Sequence, residues 1–293
     1  MLVFGAGPFE LSGAATPDAE TAAAVHAVGD DTTGDPTATT GDPNGSTGSA
    51  ASAASAAPST TGSTTTTTTV PPTTTTTTPK LRVPGLGLPK QPVPTPMALP
   101  PTNSAPVISR ITTTNKVIFL GIDDGTVRDP AVADLLEQAN VPFSMFLVQG
   151  EADAGADYFR RLQQYGGVVE THTITHPDLT TLSYGQVQHE VCGNQDDYQA
   201  LFGRRPTLFR PPYGATNGNV QAAAASCGLK AVVLWKGSTN DGRFDLQDGT
   251  QLTPGDIVLM HFRTDLLANL QKVFDTCRQQ GFAIASLEDY LPA

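Results

Sequence analysis

The sequence predicts an α/β fold, a mostly parallel sheet covered by helices, preceded by a long disordered stalk. Two observations predict it. Short apolar runs alternate with helical patterns from residue 116 to the end, and residues 1–106 are mostly Ala, Thr, Ser, Gly, Pro and Asp. Strands alternating with crossover helices favour a parallel sheet. A segment with so few apolar side chains cannot offset the entropy of ordering it.

The domain boundary is predicted at residue 106. Residues 1–106 form the disordered segment, with a Thr/Pro stalk near its end, and residues 107–293 form one folded domain. Threonine runs at 64–69 and 73–78 flank a Val-Pro-Pro sequence, and prolines recur over 80–101. Such tracts form extended stalks that are often O-glycosylated in exported proteins, with an unmodified spacer as the alternative.

The stalk leads us to expect an extracellular or cell-wall location. Residues 1–7 are apolar but too short for the core of a signal peptide, and no basic region precedes them. We therefore expect them to be the tail of a longer signal or membrane anchor. No other stretch approaches the ~18 apolar residues of a membrane span, so this chain is predicted to contain none.

Strands and helices alternate through the folded part. The predicted strands are 117–122, 143–148, 168–171, 207–210, 230–235, 256–261 and 282–286. The predicted helices are 129–139, 154–165, 183–202, 218–227 and 264–280. About seven parallel strands favour a barrel, but an incomplete one, because a full eight-fold barrel takes about 250 residues. A doubly wound open sheet is the alternative.

Charge and cysteine content exclude some functions. The chain has 28 acidic and 17 basic residues and a net charge of −11, which argues against nucleic acid as a partner. We expect a monomer. Three cysteines, Cys192, Cys227 and Cys277, are too few for a disulfide framework and lack CxxC spacing. Each lies in a predicted helix, where a buried thiol is expected; a Cys192–Cys227 bridge is the alternative in an exported protein.

Two adjacent carboxylates, Asp123 and Asp124, end the first strand before Gly125. Barrel folds place their chemistry at the C-terminal ends of strands. One carboxylate can bind a metal while its neighbour acts as a base, although an ordinary Asp-Gly turn has the same sequence.

His172 and His176 follow a later strand at i and i+4 spacing, which predicts a helical turn with both rings on one side. With Asp124 they make a two-histidine, one-carboxylate set of the kind that holds zinc or another divalent metal.

Two further clusters end strands. The sequence FRPPYG at 209–214 has consecutive prolines that would hold Arg210 and a backbone N–H in fixed directions. The apolar run 256–261 ends in His261. A rigid turn and a structural histidine are the simpler interpretations of these two clusters.

The order of the four clusters carries a family resemblance. DDG, HTITH, RPPYG and IVLMH follow one another, each after a predicted strand. Over residues 116–290 they resemble the motifs of the polysaccharide deacetylases of carbohydrate esterase family four. The resemblance implies a distorted, incomplete (β/α) barrel and a metal-dependent hydrolase that removes acetyl groups from N-acetylated glycans such as chitin or peptidoglycan. Some members act on O-acetylated xylan.

The resemblance also implies roles for individual residues. Asp123 matches the catalytic base, Arg210 the arginine that orients it, Tyr213 the residue whose backbone N–H stabilises the oxyanion, and His261 the general acid. The metal ligands match Asp124, His172 and His176. The implied cofactor is a divalent metal, zinc first with cobalt as the alternative, and the implied partner is an acetylated polysaccharide.

Two motifs depart from the family pattern. Gly121-Ile122 replace the usual Thr-Phe, a change expected to alter packing and leave the chemistry alone. In the fourth motif, after Trp235, Ser238 stands where an aspartate is expected and Gly242 where a second tryptophan is expected, while Asp241 is retained. Because that region orients the acid histidine, a metal-containing binding module without turnover is an alternative. A non-haem iron oxygenase with the same ligand types is another.

Overall fold

The computed structural model describes residues 82–100 and 103–291, which form a ten-stranded sheet curled into an incomplete barrel with helices outside. The strands are β1 (Val107–Ile108), β2 (Val117–Asp124), β3 (Phe143–Leu147), β4 (Gly167–Thr171), β5 (Leu208–Phe209), β6 (Ala231–Val233), β7 (Gly237–Asn240), β8 (Arg243–Leu246), β9 (Asp256–His261) and β10 (Ala283–Ile284). The helices are α1 (Pro130–Ala139), α2 (Gln149–Ala154), α3 (Ala156–Gln164), α4 (Tyr184–Cys192), α5 (Gln195–Phe202), α6 (Gly218–Ser226), α7 (Leu266–Gln280) and α8 (Leu287–Tyr290).

The sheet order is β1-β6-β5-β4-β3-β2-β9-β7-β8, with β10 beside the start of β2. Among the named strands, only the β7–β8 hairpin is antiparallel. β7 follows β6 after residues 234–236 and pairs with β9, so this stretch joins the two sides of the sheet and makes it curl. The predicted class, an α/β incomplete barrel, is confirmed.

All seven predicted strands occur, within a few residues of their predicted ends. The sequence did not predict β1, which is two residues long, or β7 and β8, whose residues are mostly polar and lack an apolar run. Two predicted helices are divided: 154–165 begins inside α2 and continues as α3 after Gly155, and 183–202 breaks between α4 and α5 at Gly193.

The two faces of β2 separate the core into layers. The face toward α1, α3 and α7 carries Ile118, Leu120 and Ile122. Val117 and Phe119 lie in the barrel interior, where the ring of Tyr290 from α8 packs 5.0 Å from that of Phe119. Because side chains alternate along a strand, Gly121 and Asp123 continue the interior face toward the C-terminal end of β2.

Part of the predicted stalk packs on the domain. Residues 1–81 and 101–102 lie outside the described residues, but 82–100 follow the domain surface in irregular conformation. Leu88 is buried in the main apolar cluster, and the Gly85 N–H donates to the Ala139 carbonyl at 2.8 Å. The Met97 N–H donates to the Tyr290 carbonyl at 2.8 Å. The predicted disorder therefore does not hold for this part, because an extended proline-rich segment can still bury isolated apolar side chains.

No helix in the described ranges has both the length and the apolar content needed to cross a membrane.

A disulfide joins Cys192, the last residue of α4, to Cys227, which directly follows α6. Their Cα atoms lie 5.4 Å apart. The expectation of buried free thiols at these two positions is therefore wrong. The alternative, a Cys192–Cys227 bridge, is confirmed, because the ends of the two helices lie side by side. Cys277 is a buried free thiol, as expected.

Reduction of the Cys192–Cys227 bond is expected to destabilise the domain. The two cysteines are 35 residues apart, and cross-links that close loops of this size contribute about 2–4 kcal/mol to the free energy of unfolding. Urea unfolding with and without dithiothreitol measures the loss. The Cys192→Ala/Cys227→Ala double variant is the control, since its urea midpoint should not respond to the reductant. An unchanged midpoint in the unsubstituted protein after complete reduction would contradict the prediction.

Candidate active site

A cleft of about 240 Å³ opens at the C-terminal ends of the parallel strands. Its lining consists of Asp123, Asp124, His172, His176, Pro211, Tyr213, Gly214, Trp235, Leu259, His261 and Arg263. Every site residue predicted from the sequence lies in this lining except Arg210, which is fully buried behind it. Residues from five separate parts of the chain thus meet at one edge of the sheet, as expected for parallel strands.

Asp123 and Arg210 form a buried ion pair. Arg210 Nη1 donates to Asp123 Oδ1 at 2.7 Å, and both side chains are at most 3% exposed. Arg210 Nε donates to the Val233 carbonyl at 3.1 Å, and the guanidinium lies 4.2 Å from the centre of the Phe146 ring. Burial raises the pKa of Asp123, while the charges of Arg210 and His261 oppose this rise. The result is a carboxylate fixed in position and more basic than a solvent-exposed one.

Gly121 leaves the space that the guanidinium of Arg210 occupies. A Cβ at position 121 would lie 2.4 Å from Arg210 Nη1 and 2.6 Å from Nη2. A side chain at position 121 would therefore require the guanidinium of Arg210 to shift from its present position. Residue 121 lies on the same face of β2 as Asp123, so the Gly-Ile change alters the packing around Arg210, and its effect on the chemistry stays a prediction.

Asp124, His172 and His176 converge so that one ligand atom from each lies within 4.8 Å of the others. Asp124 Oδ1 is 3.6 Å from His172 Nε2 and 3.4 Å from His176 Nε2. This buried oxygen has no hydrogen-bond partner among the described residues. His172 Nδ1 lies 2.6 Å from the Arg210 carbonyl, to which only a protonated nitrogen can donate, so Nε2 is free. An unpaired carboxylate oxygen and two imidazoles facing one point fit a divalent metal such as zinc.

Three residues in or beside the ligand set have a left-handed backbone conformation. The φ angles are 73° at Asp124, 76° at Thr173 and 59° at His176, values that residues other than glycine seldom adopt. Although adjacent strand residues normally face opposite sides, Asp123 Oδ2 and Asp124 Oδ1 lie 3.9 and 3.6 Å from the same atom, His172 Nε2. Residues 172–176 form a loop, so the predicted helical turn is wrong, yet the two histidine ring centres are only 4.9 Å apart.

Two residues that the sequence analysis did not identify hold this loop. The His176 N–H donates to Thr173 Oγ1 at 3.0 Å. Asn194, which is fully buried, donates through Nδ2 to Thr171 Oγ1 at 2.9 Å and to the Thr173 carbonyl at 3.2 Å. A Gly-Asn pair inside a predicted 20-residue helix was the available signal for Asn194.

His261 ends β9 directly beside Asp123 in the sheet register. Burial lowers the pKa of His261, and the carboxylates of Asp123 and Asp124 act in the opposite direction. Its ring makes no hydrogen bond to another residue in the described ranges. The charges of Arg263 and Arg210 add to the lowering of its pKa by burial.

The altered fourth motif forms the β7–β8 hairpin. Asp241 is exposed at the hairpin turn, where its N–H donates to Asp265 Oδ2 at 2.8 Å. Ser238 pairs with Leu259 rather than with His261. Asp241 is absent from the cleft lining, so the retained aspartate does not take the place of the missing one.

Tyr213 lies in the short 3₁₀ helix Pro212–Gly214, also with left-handed backbone, at φ 61°. Its side chain is 67% exposed, and its ring centre lies 4.9 Å from that of His176. The residue thus stands at the cleft mouth beside the metal-type ligands. Its backbone role in holding an oxyanion stays a prediction.

Sequence and structure comparisons agree on the relatives of this chain. The family model for polysaccharide deacetylase matches residues 110–232. An uncharacterised protein of Streptomyces coelicolor is 34% identical over 192 residues, which cover 64% of this chain and 77% of that protein. Peptidoglycan-N-acetylglucosamine deacetylase PgdA of Listeria monocytogenes is 29% identical over 60% of this chain and 39% of its own length.

Among solved structures, a family 4 carbohydrate esterase from Streptomyces lividans in complex with acetate superposes with a TM-score of 0.51. It is 26% identical, and the match covers 59% of this chain and 93% of that one. The matched family model, the sequence relatives and the shared fold agree: the chain belongs to the polysaccharide deacetylase family.

Proposed function

We propose that the domain is a metal-dependent deacetylase that hydrolyses the N-acetyl groups of a cell-wall glycan, peptidoglycan or a chitin-like polymer. One observation carries the proposal: a metal-type ligand set, the carboxylate of a buried Asp–Arg pair and a histidine line the same cleft. The named activity of the Listeria relative supports an N-acetylated substrate.

The ligand set would be Asp124, His172 and His176. A bound divalent ion would supply Lewis-acid chemistry, lowering the pKa of a water molecule and polarising the acetyl carbonyl. The contribution of the chain itself is to aim the two imidazoles at one point. For His172, the bond from Nδ1 to the Arg210 carbonyl does this.

Four residues would move or hold charge in the reaction. The Asp123 carboxylate takes the proton of the attacking water, and Arg210 keeps it in place by the 2.7 Å bond from Nη1. The Tyr213 N–H holds the developing oxyanion. His261 donates a proton to the departing nitrogen, so water and amide become acetate and a free amine.

A non-catalytic glycan-binding module is the second candidate, and the β7–β8 hairpin is what favours it, because the fourth motif brings no carboxylate to His261. The buried Asp123–Arg210 pair argues against it. A buried ion pair adds little net stability, and carboxylates with raised pKa values cluster at catalytic sites. An O-acetyl esterase would use the same residues and differs only in the bond that is cleaved.

We also propose that the domain acts outside the cytoplasm. Disulfides persist mainly in oxidising compartments, so the Cys192–Cys227 bond supports this location. The threonine- and proline-rich residues before the domain suit a spacer that reaches into a cell wall.

Asp123→Asn is expected to lower kcat/KM for acetate release from peptidoglycan by about 10²–10⁴-fold, because it removes the base. Zinc content should remain unchanged, since Asp123 is not a ligand in this scheme. Asp241→Asn, at the exposed hairpin turn, is the matched control and should stay within about twofold of the unsubstituted enzyme. An Asp123→Asn variant with more than a tenth of the activity would contradict the assignment of the base. A large loss in Asp241→Asn would show that the hairpin takes part in catalysis.

The ring of His172 is expected to remain neutral well into the acid range in metal-free protein. Burial lowers its pKa from 6.5 to about 3, although the Asp124 charge opposes this. Because the unfolded chain protonates His172 near 6.5, the stabilising contribution of the neutral ring is complete above that pH and is lost as the pH falls toward about 3. Imidazole ¹⁵N NMR between pH 7 and 4.5 measures this, with urea-unfolded protein as the reference. Protonation near pH 6 in the folded protein would contradict the prediction.

A further inference from the structure

We propose that Glu190 is a positioning residue for the metal site: from the α4 side it fixes the loop 172–176 that carries both histidine ligands. This inference rests on the proposed metal site. Glu190 lies outside the cleft lining and contacts neither the ligand atoms nor the substrate position. Its effect on the metal would therefore pass through the loop.

The Glu190 carboxylate bonds the middle of the loop three times. Its Oε2 accepts from the Ile174 N–H at 3.0 Å and from the Thr175 N–H at 2.9 Å. Its Oε1 accepts from the Thr175 hydroxyl at 2.7 Å. The residue is 8% exposed, and no Lys, Arg or His in the described ranges forms a salt bridge with it. In the described ranges, the hydrogen bonds of this carboxylate all go to the loop, and hydrogen bonds to a carboxylate are among the strong ones.

The loop needs such support because its own conformation is unfavourable. It is neither helix nor strand, and Thr173 and His176 both have left-handed backbone. His172 is anchored through its ring to the Arg210 carbonyl, but the His176 ring has no comparable hydrogen bond among the described residues. The His176 ring packs against the rings of His172 and Tyr213, and its direction depends further on the backbone of residues 173–175, to which Glu190 is bonded.

The helix that carries Glu190 is itself rigidly placed. Val187 and Val191 on the same face of α4 are fully buried in the cluster formed with α6. Cys192, two residues after Glu190, is bonded to Cys227 at the end of α6. Through its hydrogen bonds, Glu190 thus fixes the loop relative to the disulfide-linked helices α4 and α6. The sequence signal for this role is a glutamate three residues after Val187, within the apolar stripe of the helix.

The test is the zinc affinity of the full chain, measured by competition with a chromophoric chelator, which is independent of turnover. Glu190→Ala should weaken zinc binding about 10–100-fold, the usual effect of removing a residue that orients a ligand. Glu190→Gln should stay within about threefold of the unsubstituted affinity. Its amide oxygen can accept both N–H groups, and its amide nitrogen can donate to the Thr175 hydroxyl.

Glu288→Ala is the matched control. Glu288 is also a part-buried carboxylate, bonded to the hydroxyls of Ser144 at 2.7 Å and Ser286 at 2.9 Å, but near the beginning of β3, away from the cleft. It should lower the melting temperature and leave zinc affinity unchanged. If Glu190→Ala does not fold, Thr175→Val, which removes one of the three bonds, should still weaken zinc binding by about threefold or more.

Two results would overturn the inference. Zinc affinity that is unchanged in the folded alanine variant, or in Thr175→Val, would show that the loop does not need Glu190. An equal loss in the glutamine and alanine variants would show that the charge matters rather than the position. The proposed function fails by a different result, zinc bound with normal affinity but no acetate released by the unsubstituted protein.

Discussion

The buried pair of Asp123 and Arg210 is the interaction on which the site depends. The guanidinium of Arg210 fixes the proposed base, and its backbone carbonyl fixes His172, so one residue aligns the base with the metal ligands. The barrel interior has room for this guanidinium because Gly121 has no side chain, and the guanidinium packs against the face of the Phe146 ring. Removing two charges from water costs several kcal/mol per ion before pairing. That cost is understandable where the pair serves chemistry and difficult to explain where it serves only the fold.

Around this pair, the cleft is assembled from strained backbone held by distant parts of the chain. Asp124, Thr173, His176 and Tyr213 all have left-handed φ angles, and all lie at or beside the ligand set. Such conformations persist only where surrounding bonds enforce them. For the histidine loop, those bonds come from Asn194 and from α4, which the disulfide ties to α6. The geometry of the site is therefore a property of the whole barrel wall, and not of the motifs alone.

The sequence predicted the strands and the residues of the cleft well, because apolar runs ending in polar residues mark strand ends directly. It failed where local sequence does not determine structure. HTITH has helical spacing, but its loop is set by long-range bonds to Asn194 and Glu190. The hairpin strands Gly237–Asn240 and Arg243–Leu246 are mostly polar and pair because β9 offers an edge. The contact between residue 121 and Arg210 joins distant parts of the chain, so the local sequence does not predict it.

The most direct measurement is acetate release before and after removal of the metal, with N-acetylglucosamine oligomers, peptidoglycan and acetylxylan as substrates. We expect no release by stripped protein and recovery from an N-acetylated glycan with about one equivalent of zinc or cobalt, since Asp124, His172 and His176 form one ligand set. Zinc bound at one equivalent without acetate from any of the three substrates would contradict the account and favour a binding module.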